Sequence, residues 1–205
     1  MVMKISNTGI SLILLVLIFF LAGTSLGISV RSVNLDELVG LSERVFLGRV
    51  AGVKSSFDSR IGINITSYTF VVTEGLKGVR TGDTIQVRQV GGPAGTPSPV
   101  AGLPVYRKGQ EILLFLHGDS RLGLTSPVGL LQGVFREVKM PDGSRGYLNG
   151  AGNRNLETRA ADTLRSAVPS PGESLSGAGT DPAPITIEML RGFISSRGER
   201  GVELK

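Results

Sequence analysis

Short segments rich in β-branched and aromatic residues, separated by glycine-containing turns, occupy the middle of this chain. Such segments predict strands over residues 45–53, 63–74, 84–90, 111–116, 122–126, 133–138 and 146–148. The segment 111–116 is apolar on both faces, which predicts a central strand. Many short strands of this spacing are typical of small barrels, and closing the sheet removes the edges that invite aggregation. We therefore expect a mainly β fold, a small antiparallel barrel of about five to seven strands.

Two helices are predicted to flank the strands. Residues 34–41 form a short leading helix, because Asn34 can cap it and Asp36 and Glu37 lie in its first turn. Residues 185–197 carry an apolar stripe at helical spacing and predict a C-terminal helix. An amphipathic helix of this length is marginal in water by itself. We expect it to dock on its own barrel; the alternatives are a partner or a membrane surface.

The N-terminus carries the pattern of an export signal. Lys4 precedes a run of apolar residues, 12–22, and small residues follow before Ile28. This pattern predicts a signal peptide over residues 1–27 and a periplasmic or extracellular protein with no membrane span after cleavage. The alternative is an uncleaved anchor in the inner membrane. The predicted domains are then a barrel over 28–150, a Gly/Pro/Ser-rich linker over 151–184 and a C-terminal helix and tail over 185–205.

Composition excludes several kinds of chemistry. The chain has no cysteine and one histidine, so neither a disulfide framework nor a zinc site with the usual His and Cys ligands is expected. No cofactor is expected either. The formal net charge of +5 favours polyanions as an alternative class of partner. The basic residues considered for such a surface are Arg44, Arg49, Arg88, Arg107, Lys108 and Arg136.

Candidate catalytic groups are few. His117, Asp119 and Ser120 are adjacent, but this stretch is typical of a solvated turn, and catalytic triads are assembled by the fold rather than by adjacency. Glu74 and Glu111 end or begin predicted strands and are the candidates for a carboxylate-based hydrolase, the second alternative function. The favoured interpretation is that each carboxylate faces water or pairs with a nearby Arg or Lys. We therefore expect no enzyme.

A long Gly- and Pro-rich loop over residues 91–109 joins two predicted strands. No helix opens after it and its prolines lack N–H donors, which argues against a phosphate-binding loop. Loops of this length at the mouth of a barrel are often binding loops. An exposed aromatic beside an arginine is a frequent contact pair. The predicted binding residues are Gly91, Gly92, Leu103, Tyr106 and Arg107.

Five segments, in order, resemble a family of uncharacterised exported bacterial proteins sometimes found with or near secreted metalloproteases. They read ELVGLSERVFLGRV, YTFVVTEGLKG, GDTIQVRQVGG, YRKGQEILLFL and VGLLQGVFR. The family is distantly similar to netrin and tissue-metalloproteinase-inhibitor modules, which are five-stranded OB-type barrels. The resemblance implies an OB-like barrel, with a secreted protease as one candidate partner. The long Gly- and Pro-rich loop and the lack of a catalytic set predict a protein-interaction module of the cell envelope or exterior. The inhibitors bind zinc through an N-terminal cysteine, which this chain lacks.

Overall fold

A computed structural model describes residues 31–92, 102–154, 156 and 183–202, with side chains up to Arg197. The predicted signal segment, residues 93–101 of the 91–109 loop and most of the predicted linker lie outside the described residues. The elements are helix α1 (Leu35–Leu41), strands β1 (Arg44–Asp58), β2 (Ile63–Lys77), β3 (Thr84–Val90) and β4 (Glu111–Leu116), a 3₁₀ turn (Leu130–Gly133), strands β5 (Val134–Lys139) and β6 (Arg145–Asn149), and helix α2 (Ile187–Val202). The mainly β class is confirmed.

The six strands form one antiparallel sheet in the order β3-β2-β1-β4-β5-β6. The spatial order β4-β1-β2-β3 is a Greek key, because the fourth strand returns to lie beside the first. The end strands β3 and β6 do not pair with each other, so hydrogen bonds between the described strands leave the sheet open.

The centre of the sheet is buried on both faces. One face packs against the two helices, and its cluster includes Leu38, Val45, Leu47, Leu113, Phe115, Leu190 and Phe193. The opposite face holds a second cluster, which includes Phe46, Val50, Tyr68, Phe70, Val87, Leu114 and Val134. Strand β4 contributes to both clusters, which confirms the central strand predicted from its apolar faces.

Both predicted helices are present. The leading helix has the expected cap: the Glu37 amide donates to Asn34 Oδ1 at 2.9 Å, and the Asn34 amide donates to Glu37 Oε2 at 3.2 Å. Helix α2 buries Ile187 in the helix-side cluster, so docking on its own sheet is confirmed. It begins two residues later than predicted, because Ile185 exchanges two backbone hydrogen bonds with Tyr147 of β6. Neither described helix is long and apolar enough to cross a bilayer.

One predicted strand, residues 122–126, is wrong. The Ser120 amide donates to the Leu124 carbonyl at 2.8 Å, and Gly123 has a φ of 67°, which closes a tight loop instead of a strand. The loop nevertheless contacts the sheet, because the Thr125 amide donates to the Arg88 carbonyl of β3 at 3.0 Å.

Strand β1 runs five residues beyond its predicted end. Register shifts lie between Leu47 and Gly48 and between Val50 and Gly52, which indicates β-bulges at the two glycines. Strand β4 pairs with β1 only from Arg44 to Arg49. Residues 51–58 therefore have β2 on one side and no described strand on the other.

Candidate functional site

The predicted binding loop begins as part of the sheet. The Gly91 amide donates to the Asn64 carbonyl at 2.9 Å, and Gly91 has a φ of 143°. The Thr66 hydroxyl lies 3.0 Å from the Gly91 carbonyl and 2.9 Å from the Gly92 carbonyl. These two glycines therefore anchor the loop to β2 through their backbones.

Tyr106 is in the core, so the expectation of an exposed aromatic at this position is wrong. Its side chain is 2% exposed and makes edge-to-face contacts with Tyr68 (centroids 4.8 Å apart) and Phe70 (5.3 Å). At the end of the second cluster where Tyr106 lies, the strands do not pair with one another. The loop fills this end with the Tyr106 ring. The loop therefore acts as a plug for the core.

Its neighbours Val105 and Arg107 face outward instead. Val105 is 56% exposed and Arg107 is also exposed, while the Arg107 amide donates to Gln110 Oε1 at 2.7 Å. Leu103 is half-buried and lines a groove described below. The structure therefore does not bring the five predicted residues together as one exposed surface.

A groove of about 440 Å³ lies between the end of β3 and the connection that follows β4. Its lining includes Arg88, Gln89, Leu103, His117 and Leu130. His117 is half-buried here, so the prediction of a solvated turn residue is only partly right. The groove adjoins the end of the core that Tyr106 fills, because Gln89 lines the groove and also lies beside Tyr106.

A row of polar groups closes the second cluster at this end. Ser55 Oγ lies 2.9 Å from Thr66 Oγ1, and Gln89 pairs with Thr66 across the β2–β3 ladder. The Gln89 Nε2 atom and the Tyr106 hydroxyl are both buried and have no hydrogen-bond partner among the described residues. Burial raises the pKa of Tyr106 well above its usual range.

The two candidate catalytic carboxylates are ion-paired. Glu74 pairs with Arg191 of α2, and Glu111 Oε2 lies 2.6 Å from Arg145 Nη2. Arg145 also contacts Glu137 at 2.7 Å, and these carboxylates raise the pKa of Arg145. The interpretation that each candidate pairs with a nearby basic residue is confirmed, while the hydrolase hypothesis itself stays a prediction.

The His-Asp-Ser stretch is engaged in loop contacts. Asp119 Oδ1 accepts from Arg44 Nη2 at 2.6 Å, and Ser120 Oγ accepts from the Leu124 amide at 3.1 Å. No described hydrogen bond links the His117 ring to either side chain. Within the described residues, no group of three or more His, Asp or Glu side chains is arranged to hold a metal ion.

Half of the basic residues considered for a polyanion surface have acidic partners. Arg44 pairs with Asp119, Arg49 lies 3.9 Å from Glu111, and Arg88 lies 3.1 Å from Asp58. These pairs neutralise part of the basic excess locally. Polyanion binding stays a prediction.

The sheet offers one candidate contact surface that the sequence did not indicate. It is the side of residues 51–58 in β1 that faces away from β2, here termed the outer hairpin edge. Val53 is 44% exposed and Phe57 is 64% exposed on this segment, although both have strand geometry. The alternation of Val53, Ser55 and Phe57 was the available signal, and the serines obscured it.

The tip of the hairpin is held by Asp58. Its carboxylate accepts from Arg60 Nη2 at 2.7 Å and from Arg88 Nη2 of β3 at 3.1 Å. The Arg60 guanidinium holds the pKa of Asp58 down to about 2. The outer hairpin edge therefore ends at an ordered turn, which an ion pair between Asp58 and Arg88 connects to β3.

Comparison with family models, curated proteins and solved structures finds no match to this chain.

Proposed function

We propose that the protein is an exported, non-enzymatic protein-interaction module that contacts its partner through the outer hairpin edge. The observation that carries this proposal is the run of β1 past the end of β4. A strand edge offers a row of backbone donors and acceptors to another chain, and neighbouring side chains give specificity. Here the exposed side chains of Val53 and Phe57 flank that row.

The fold proposed for this module is a partly open OB-type barrel. Three observations support it: the Greek-key order of the first four strands, the plug formed by Tyr106, and an interior cluster drawn from β1 to β5. An open Greek-key barrel has this architecture. The resemblance of the five sequence segments to exported bacterial proteins is in agreement.

The proposed location is the periplasm or the cell exterior, and the alternative is an N-terminal anchor in the inner membrane. The support is the apolar run that follows Lys4. The same resemblance makes a secreted protease the first partner to look for. Val105 and Arg107, the outward residues of the loop, are candidates for a secondary contact.

The test is recovery of the tagged mature protein from crosslinked intact cells, followed by mass spectrometry at low and high salt. We expect a discrete protein that survives high salt, and we expect Val53→Glu/Phe57→Glu to lose it. Polyanion binding would instead collapse as salt rises.

A matched control is Val71→Glu/Leu122→Glu, which adds the same charges at exposed apolar positions outside the outer hairpin edge. Equal recovery from the edge variant and the wild type would refute the proposed contact surface.

A further inference from the structure

The hydrogen-bond pattern of β2 determines which backbone groups of β1 point outward. The Gly91 amide donates to the Asn64 carbonyl, and the Val72 amide donates to the Asp83 carbonyl. Even-numbered residues of β2 thus bond to the β3 side. Because bonding direction alternates along an antiparallel strand, the odd-numbered residues bond to β1.

Those odd-numbered residues, Ile65, Ser67 and Thr69, lie opposite Ser56, Lys54 and Gly52 of β1. The N–H and C=O groups of the alternate residues, Val53, Ser55 and Phe57, therefore point away from β2. In the described part of the chain, no residue bonds to these outward groups.

The outward sequence is complementary to itself. When the same segment is laid antiparallel with Ser55 opposite Ser55 of a second copy, Val53 lies opposite Phe57 of that copy and Phe57 lies opposite its Val53. Each of the three outward residues then exchanges both backbone hydrogen bonds with the second copy. Valine opposite phenylalanine is a favourable cross-strand pair.

The charges of the segment fit the same arrangement. Lys54 lies opposite Ser56 of the second copy, and Asp58 lies opposite its Gly52, so no like charges are directly opposed. By contrast, both end strands of the sheet carry covering segments: Thr125 bonds to the outer side of β3, and Ile185 pairs with β6.

We propose that the outer hairpin edge pairs antiparallel with the same edge of a second copy of this chain, about a two-fold axis at Ser55. This inference rests on the proposed function and names the partner of its contact surface. The Asp58 contacts to Arg60 and Arg88 fix the turn that ends the edge, so a second copy meets a preformed strand.

The decisive experiment uses charge pairs on the predicted mature chain, read by sedimentation velocity. Val53→Glu/Phe57→Glu and Val53→Lys/Phe57→Lys each place like charges opposite one another, so we expect each variant alone to be monomeric. Their equimolar mixture places Glu opposite Lys throughout, and we expect a heterodimer. The wild type should be dimeric, with folding of each variant verified by circular dichroism.

A second measurement uses the absence of cysteine, because a single introduced thiol reports only contacts between chains. Ser55→Cys places two thiols opposite each other at a Cα separation that suits a disulfide. We expect mild oxidation to yield a covalent dimer. Ser56→Cys, one residue along the same strand, is the control and should stay mostly monomeric.

A wild-type chain that is monomeric at every soluble concentration overturns the inference, as does a Val53→Glu/Phe57→Glu variant that still dimerises. If the purified chain is monomeric but cells yield a different protein through the outer hairpin edge, only the identity of the partner fails. If the Val53→Glu/Phe57→Glu variant recovers the same partner from cells as the wild type, the proposed function fails.

Discussion

The inner and outer halves of strand β1 differ although they belong to one continuous strand. The inner half, with Val45 and Phe46, has strands on both sides and apolar clusters on both faces. The outer half, with Val53 and Phe57, has one neighbouring strand among the described elements and exposed apolar side chains. Burial therefore follows from the neighbours of each half, not from the residue types, since both halves contain valine and phenylalanine.

The largest expected difference between the halves comes from truncating the two phenylalanines. Phe46→Ala should lower the free energy of unfolding by about 3–5 kcal/mol, because the fully buried ring packs edge-to-face on Phe70. Phe57→Ala should change it by no more than about 0.5 kcal/mol. Urea unfolding of the two variants at a low, monomeric concentration checks this. Similar losses would mean that another segment covers Phe57.

The two glycines of β1 give a smaller contrast of the same kind. A Cβ at Gly48 would lie 2.8 Å from the Phe46 ring, whereas a Cβ at Gly52 would meet Thr69 at an ordinary 3.7 Å. We expect Gly48→Ala to destabilise by about 1–3 kcal/mol. We expect Gly52→Ala to be neutral or slightly stabilising. Thermal unfolding of both variants decides, and a destabilised Gly52→Ala would contradict the ordinary contact expected between its Cβ and Thr69.

Tyr106 packs on Tyr68 and Phe70, which lie opposite the boundary between the two halves of β1. Its hydroxyl provides a test of the core at this boundary. Because this buried group has no hydrogen-bond partner in the described part of the chain, Tyr106→Phe should leave the free energy of unfolding unchanged or raise it by up to about 1 kcal/mol. Tyr106→Leu, which loses the edge-to-face contacts, is the comparison variant and should be less stable. A clear loss in Tyr106→Phe, measured by urea unfolding, would show that the hydroxyl is bonded in solution.

The smallest expected effect is the acid response of the hairpin tip. Asp58 has a folded pKa of about 2, below its ordinary value of 3.8, so its contribution to stability is present above pH 4. That contribution is lost as pH falls through the interval from about 4 to about 2. NMR titration of the Asp58 carboxyl should give a midpoint near the lower value, and Arg60→Ala should move it upward. A midpoint near 3.8 in the wild type would exclude the ordered tip.

The central strand and the leading helix were largely predictable from sequence, while the outer half of β1 was not. Apolar residues on both faces identified β4 as central, and Asn34 with Glu37 identified a helix cap, because these signals are local. The extension of β1 past Val53 and the burial of Tyr106 depend on which segments become neighbours. No local pattern reports that, since a tyrosine in a Gly- and Pro-rich loop looks the same whether it faces water or fills a core.

The contact between the two helices has a consequence for how this chain acquires its structure. Arg197 of α2 donates to the Asp36 carbonyl of α1 at 3.3 Å, across 161 positions of sequence. Contacts of such long range slow folding, and a chain emerges from the ribosome with its N-terminus first. The part of the helix-side cluster that α2 supplies, Leu190 and Phe193, can therefore join α1 only after all six strands have been synthesised. The helix-side cluster is therefore completed last, by the element that is synthesised after all the described strands.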